Sequence, residues 1–256
     1  MRGPERVNVL GTGVSVVDFD GAIQTMDGWI EQQRGNFVCV TSVHGIVESM
    51  RDEELRAIHN RAGMVTPDGI SAVWYSRVKG KRGLQRVCGP DLFPRVCAHS
   101  VKKGYTHFFY GGDVGVPEIL KEKVEARFPG IQVVGTHSPP FRPLTAEEDA
   151  AIVERIQSLS PTFVWVGIST PKQERWMYEH HGRLGRSILL GVGAVFDLHA
   201  GLKTRAPKWI QSAGLEWLYR VCREPRRLGR RYLTTVPTFI YYSLLHFVGL
   251  YKTKAI

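Results

Sequence analysis

An aspartate in the stretch VTPDGIS, residues 65–71, is the side chain best suited to act as a base. Asp68 follows a short apolar run and precedes Gly69, so we expect it at the carboxyl end of a strand, where ligands of parallel sheets bind. A carboxylate there can take a proton from an incoming hydroxyl group. The competing interpretation, and the commoner use of aspartate in such a position, is an N-cap for the helix predicted over 69–79.

A second polar turn lies in VWVGISTPKQERW, residues 164–176. Its apolar first half is typical of a strand buried on both faces, and Thr170 and Pro171 suit the N-cap and first position of the next helix. Free N–H groups at a helix N-terminus favour phosphate-like anions. Lys172 would add a positive charge, and Gln173 adds an amide. A helix cap with solvated side chains is the alternative.

A glycine-containing turn, GVGAVFDLHAG, follows the last predicted strand at residues 191–201. Gly191 and Gly193 could bring backbone N–H groups close to a phosphate, although glycine that only permits close packing explains them equally well. We include Asp197 of the same turn among the candidate substrate-binding residues. No metal site is predicted, because the four cysteines form no C-x-x-C pair and lie at no zinc-finger spacing from a histidine. They are expected to be reduced packing residues of a cytosolic protein.

Apolar runs that alternate with helical patterns must position these residues. The 256 residues, 43% of them hydrophobic, suffice for one large domain or for one domain with an appendage. The alternation predicts an α/β fold with a doubly wound, mostly parallel sheet of Rossmann-like plan. The predicted strands lie at 7–10, 37–41, 64–66, 107–110, 131–134, 163–168 and 188–192. The predicted helices lie near 21–33, 52–62, 69–79, 91–103, 116–128, 145–158 and 171–181.

The net charge of +10 is concentrated at one end of the chain. Residues 1–202 carry 23 Lys and Arg against 22 Asp and Glu, a net +1, whereas residues 203–256 carry 11 against 2, a net +9. We therefore predict a core over 1–202 and a basic appendage over 203–256. Such an appendage is typical of a surface that meets an anionic membrane or a nucleic acid.

The appendage contains a basic helical pattern over 207–233, which Pro225 divides, and then a mostly apolar run over 236–251. This run is shorter than the roughly 20 residues that a membrane span needs. We predict a helix that lies in the interface of an anionic membrane. The alternative is a last helix that packs on the core and has a solvated basic face. A nucleic-acid partner is disfavoured, because contacts with phosphates gain little from a long aromatic and aliphatic run.

Seven stretches resemble, in the same order and over nearly the whole chain, the WecG/TagA/CpsF glycosyltransferases, which form glycosyltransferase family 26. They are VTPDGI, GPDLFP, FFYGG, VGISTPKQERW, GVGAVFDLHAG, RAPKW and GLEWLYRVCREPRRLGRRYL. The resemblance implies an inverting, metal-independent enzyme without a cofactor, which moves a sugar from a UDP donor to a sugar on a polyprenyl diphosphate. It also implies synthesis of a cell-surface polysaccharide or teichoic-acid-type polymer at the cytoplasmic face of a bacterial membrane. A homo-oligomer is left open.

The resemblance also implies roles for individual residues. It makes Asp68 the catalytic base, Thr41 and Gln173 polar residues of the active site, and Arg86 an arginine near the diphosphate. Three arginines of the appendage would close over the site at the membrane: Arg220, Arg227 and Arg231. The chain departs from the family where TSVH, residues 41–44, replaces the frequent T-P-N. The donor sugar therefore stays open among N-acetylmannosamine, its uronic acid and a hexose such as glucose.

A function from another class is compatible with the same turns and charges. A non-catalytic regulator would bind a nucleotide at the polar turns and nucleic acid through the basic appendage. It predicts no turnover and no loss of function when Asp68 is replaced by Asn.

Overall fold

The computed structural model describes residues 3–253, except for the side chain of Arg227. The strands in this range are β1 (Arg6–Val9), β2 (Thr12–Ser15), β3 (Asn36–Thr41), β4 (Met64–Pro67), β5 (Thr106–Gly111), β6 (Gln132–His137), β7 (Phe163–Gly167) and β8 (Ile188–Gly191). The helices are α1 (Phe19–Glu31), α2 (Val43–Arg51), α3 (Glu53–Arg61), α4 (Ile70–Val78), α5 (Gly89–Lys103), α6 (Val116–Arg127), α7 (Ala146–Leu159), α8 (Lys172–His180), α9 (Val195–His199), α10 (Lys208–Ser212), α11 (Glu216–Arg223) and α12 (Pro225–Phe247).

Six strands form one parallel sheet in the order β4-β3-β8-β7-β5-β6. Helices cover both faces, which explains why these strands are nearly continuous apolar runs. In β7 the side chains of Phe163 and Trp165 join one hydrophobic core, while those of Val164 and Val166 join the other. This alternation follows from the two-residue period of a strand. The predicted α/β, doubly wound fold is confirmed.

The prediction for the first apolar run was wrong in one respect. Residues 7–10 were assigned to the series of parallel strands, but β1 pairs antiparallel with β2 in a separate hairpin. Leu10 and Gly11, with φ of 52° and 93°, form the two-residue turn between them, as tight hairpins require. Neither β2 nor α2 was predicted, because four residues are too few to show a period and α2 begins two residues after β3 ends.

Two helix boundaries also differ from the prediction. Helix α8 begins at Lys172 with Pro171 at the N-cap position, after a cis peptide bond between Thr170 and Pro171. The hydroxyl of Thr170 donates to Glu174 Oε1 at 2.9 Å and caps no backbone N–H group. In the tail, Pro225 does separate two helices, but the basic segment and the apolar run then form the single 23-residue helix α12, with Pro237 inside it.

Helix α12 packs on the core with one face and exposes apolar side chains on another. Phe239 is only 6% exposed and joins a hydrophobic core that β1, β2, α2 and α4 share. Ile240, Tyr241 and Leu244 of the same helix are more than half exposed. Within residues 3–253, no helix combines the length and apolarity needed to cross a bilayer. The alternative of a last helix packed on the core therefore holds for one face of α12. The other face is exposed and is free to contact a membrane.

Candidate active site

The carboxyl ends of three neighbouring strands bring Asp68, Thr41 and Gly191 to one edge of the sheet. Thr41 is in register with Pro67, and Cys39 is in register with Gly191. The N–H of Asp68 donates to the carbonyl oxygen of Thr41 at 3.0 Å. Because neighbouring strands lie about 5 Å apart, the three strand ends span about 10 Å.

The carboxyl group of Asp68 does not cap α4. Gly69 is the N-cap residue and no side chain bonds the first turn, while Asp68 Oδ1 accepts a hydrogen bond from the N–H of Gly89 at 3.2 Å. Burial raises the pKa of the Asp68 carboxyl group, and the positive charges of Arg86 and Arg220 oppose that rise. A desolvated carboxylate with a raised pKa is a stronger base than a solvated one.

Arg86 connects the core to the tail beside Asp68. Its Nε donates to the backbone oxygen of Asp68 at 2.8 Å, and its Nη2 donates to Glu216 Oε2 in α11 at 2.6 Å. Glu216 also accepts from Nε of Arg205 at 3.2 Å, and Arg205 forms a two-pronged ion pair with Asp91. The start of α11 is therefore fixed against the loop that carries Arg86.

A cavity of about 650 Å³ adjoins Arg86 at the boundary between core and tail. Its lining includes Arg95 and Arg127 of the core and Lys208 of α10, but not Asp68. Arg86 and these three cations share the lining with one carboxylate, that of Asp91, so the cavity carries a net positive charge, which favours anionic ligands.

The charges of two of the three predicted tail arginines act on residues at the carboxyl ends of β3 and β4. The charge of Arg220 opposes the rise that burial causes in the pKa of Asp68. Arg231, after burial, contributes to lowering the pKa of His44 to about 4, so this histidine of the TSVH turn is neutral near pH 7. The side chain of Arg227 lies outside the described part of the chain.

Sequence reasoning missed two tail residues that interact electrostatically with Asp68, Glu216 and Tyr232. Burial raises the pKa of the Tyr232 hydroxyl group, and the charges of Arg220 and Asp68 both act on it. The Tyr232 ring lies 5.8 Å from that of Trp217. A tyrosine and a glutamate within a basic helical pattern leave no local signal of such a position.

Gln173 and Gly193 hold each other in place. Gln173 is 2% exposed; its Oε1 accepts from the N–H of Gly193 at 3.0 Å, and its Nε2 donates to Glu174 Oε1 at 3.0 Å. A Cβ atom at Gly191 would lie 2.6 Å from Met177 Cε and 3.2 Å from Gln173 Nε2. These contacts favour the packing interpretation of the two glycines, and they assign Gln173 to the support of the turn after β8.

Thr41 belongs to a buried hydrogen-bonded chain with His59 and Ser49. His59 Nδ1 lies 3.0 Å from the carbonyl oxygen of Leu55, and His59 Nε2 lies 3.1 Å from Thr41 Oγ1. Because a carbonyl oxygen only accepts, Nδ1 carries the proton, and Nε2 of the neutral ring accepts from the Thr41 hydroxyl group. Burial lowers the pKa of His59 and so favours the neutral form. The Thr41 hydroxyl group also lies 3.3 Å from the carbonyl oxygen of Cys39, so both of its acceptors are buried.

Lys172 and Asp197 lie apart from this group. Lys172 is exposed, with Nζ 4.6 Å from the centre of the Phe141 ring, and it follows β7, three strands from β4, or about 14 Å along the edge. Asp197 pairs with Lys203 at 2.8 Å, and Lys203 also lies 3.5 Å from Glu224. Asp197 thus takes part in attaching the tail.

Lys172 does stand at the switch point of the sheet, between β5 and β7. The helices after these strands, α6 and α8, pack on opposite faces of the sheet. A crevice therefore opens beyond the two strand ends. A Cβ atom at Gly111 would lie 2.6 Å from the carbonyl carbon of Gly167, which shows how closely the backbones approach there. Across residues 3–253, no group of three His, Cys, Asp or Glu side chains could hold a metal ion.

The model of the glycosyl transferase WecG/TagA/CpsF family matches residues 7–253. The chain belongs to this family. It is therefore a glycosyltransferase, and the non-catalytic regulator loses its support.

Relatives from Bacillus and Staphylococcus bear the name N-acetylglucosaminyldiphosphoundecaprenol N-acetyl-beta-D-mannosaminyltransferase. One from Bacillus spizizenii is 28% identical over 85% of this chain and 82% of its own length. One from Staphylococcus aureus strain MW2 is 27% identical over 93% of each chain. One from Bacillus subtilis strain 168 is 25% identical over 82% of this chain and 80% of its own length.

Proposed function

We propose that this glycosyltransferase moves a sugar from a UDP donor to a sugar on a polyprenyl diphosphate, in the synthesis of a cell-surface polysaccharide or a teichoic-acid-type polymer. The names of the relatives support a lipid-diphosphate acceptor and N-acetylmannosamine as one donor sugar. Because the TSVH stretch departs from the family pattern, the uronic acid of that sugar and a hexose such as glucose are further candidate donor sugars. The observation that carries the proposal is the desolvated Asp68 carboxyl group beside Arg86 and Arg220.

In the proposed reaction, Asp68 removes the proton from the acceptor hydroxyl group. The acceptor oxygen forms a bond to the anomeric carbon while the bond from that carbon to the UDP oxygen breaks, and a single displacement of this kind inverts the configuration. The leaving diphosphate keeps the electron pair of the broken bond. Arg86 and Arg220, whose charges act on Asp68, supply positive charge for it without a metal ion.

The tail would hold the enzyme at the cytoplasmic face of the membrane. Its net charge of +9 and the exposed apolar side chains of α12 suit the headgroup region of an anionic leaflet. Division into a core, 1–202, and an appendage, 203–256, belongs to the same proposal. Two ion pairs, Arg86–Glu216 and Lys203–Asp197, cross that boundary and would keep the two parts together.

A screen of UDP-sugars tests the proposal. Purified full-length protein is mixed with each donor and a short-chain lipid-diphosphate sugar, and released UDP is measured with and without EDTA. We expect release with at least one donor only when the acceptor is present, no effect of EDTA, and a product whose NMR coupling shows the inverted anomer. Acceptor-independent release, strict dependence on an added divalent ion or a retained anomer would refute the corresponding part of the mechanism.

A further inference from the structure

A strongly basic segment lies inside the part of the chain whose overall charge is near zero. Residues 69–90 contain five Lys and Arg and no Asp or Glu. The five are Arg77, Lys79, Lys81, Arg82 and Arg86. Arg86 is paired with Glu216, whereas the other four are exposed, and none of those four forms an ion pair with a described carboxylate. The segment comprises α4 and the loop that follows it.

The outer face of α4 is apolar as well as basic. Trp74 is 55% exposed and Val78 is 65% exposed. The two lie four residues apart and therefore on one stripe of the helix. Ala72, Val73 and Tyr75 of the opposite face are buried. An exposed tryptophan beside unpaired cations is typical of a surface that enters the headgroup region of a membrane.

Helix α4 and the residue after it contact the tail on two sides. Tyr75 stacks on His246 with ring centres 6.0 Å apart, and Lys79 Nζ lies 5.7 Å from the centre of the Phe247 ring. On the other side, a Cβ atom at Gly214 would lie 2.9 Å from Ile70 Cγ2 and 3.8 Å from Trp74. The neighbouring tail elements expose further large apolar side chains: Trp209, Leu215, Leu218, Leu244, Val248 and Leu250.

We propose that α4 and the loop through Arg82 form a membrane contact of the core itself, which docks on an anionic lipid surface beside the tail. The inference rests on the proposed function, because it takes the bilayer as the partner. The charge of the segment favours a lipid surface over a second copy of the chain. Four cations without an ion-pair partner would repel the same four cations of another copy, whereas they attract anionic headgroups.

The contact would determine how far the catalytic base stands from the lipid. Helix α4 has nine residues, or about 14 Å of length, and begins two residues after Asp68. With the Trp74 and Val78 stripe on the lipid surface, Asp68 stays within about one helix length of the headgroups. An acceptor sugar attached to a lipid diphosphate is confined to the same layer.

The test compares two variants of the full-length protein with equal charge changes. One is Lys79→Gln, Lys81→Gln and Arg82→Gln; the control is Lys102→Gln, Lys103→Gln and Lys123→Gln, three exposed lysines of α5 and α6. Binding is measured by co-sedimentation with vesicles of phosphatidylcholine and phosphatidylglycerol. Because each cation near the surface strengthens binding to anionic lipid, we expect the first variant to bind at least about tenfold more weakly than the control. Trp74→Ser should weaken binding without a change in charge.

Turnover separates this inference from the proposed function. The first variant should lose activity on a vesicle-borne acceptor and retain that on a short-chain soluble acceptor, which also shows that it is folded. If the wild type turns over neither acceptor, the proposed function fails, while the vesicle binding still tests the surface. Equal binding by the two triple variants would overturn the inference. It would also be overturned if sedimentation showed a dimer that only the first variant disrupts while vesicle binding stays unchanged.

Discussion

At the scale of single residues, Asp68 holds a carboxyl group whose pKa burial raises above its ordinary value of 3.8. The folded protein therefore binds this proton more tightly than the unfolded chain does. Ionisation of Asp68 costs stability as the pH rises from the unfolded pKa through the folded pKa, and it costs nothing below both. The fold accepts this cost at the position where a base is needed.

Replacement of Asp68 by Asn should consequently stabilise the protein near neutral pH. We expect a higher Tm than that of the wild type at pH 7.5, and a difference that disappears as the pH approaches 4 and the wild-type carboxyl group becomes protonated. Thermal unfolding of both proteins across this range measures the effect. A lower Tm for the Asn variant at neutral pH would show that the charges of Arg86 and Arg220 outweigh desolvation.

The neutral ring of His59 fixes the hydroxyl group of Thr41 beside this base. His59→Leu should remove the hydrogen bond between the ring and Thr41 and lower the free energy of unfolding by about 0.5–1.5 kcal/mol, because the carbonyl oxygens of Cys39 and Gly45 still accept from Thr41 and Ser49. His59→Gln, whose amide oxygen can accept from Thr41, should lose less stability and retain more turnover. Denaturant unfolding and steady-state kinetics of the pair provide the check, and equal losses in both variants would contradict the tautomer deduced here.

At the scale of elements, α12 presents a buried and an exposed apolar face within one turn. Phe239 is 6% exposed and Tyr241 is 58% exposed. Phe239→Ala should lower the free energy of unfolding by about 3 kcal/mol, because it opens a cavity against Tyr75. Tyr241→Ala, the matched control on the same helix, should change it by less than about 0.5 kcal/mol. Similar effects of the two changes in denaturant unfolding would mean that α12 does not pack on the core.

The sequence was sufficient to locate the strand ends, and with them Asp68 and Thr41, since apolar runs followed by polar turns are local patterns. It was insufficient where partners are distant. Arg86 and Glu216 are 130 residues apart, and no periodicity predicts their ion pair. The division of α12 into packed and exposed faces likewise depends on its neighbours, so the apolar run alone did not reveal that Phe239 belongs to the core.

At the scale of the whole molecule, the tail both binds the loop that carries Arg86 and covers part of the core. Removal of the chain after Gly201 would take away Glu216, Arg220 and Tyr232 and would also expose Tyr75 and the other apolar residues of α2 and α4. Activity measured on a truncated protein would therefore not distinguish lost stability from lost membrane contact. Point substitutions on the exposed surface separate these effects, because they leave the buried face of α12 intact.

The central claim is that Asp68 acts as the base of a glycosyl transfer, and the rate of UDP release tests it most directly. Wild type and Asp68→Asn are assayed with the active UDP-sugar and a short-chain lipid-diphosphate sugar, and UDP binding is measured in parallel by calorimetry. The account predicts turnover lower by about 10² or more in the Asn variant, with UDP binding retained. Turnover close to that of the wild type would contradict it.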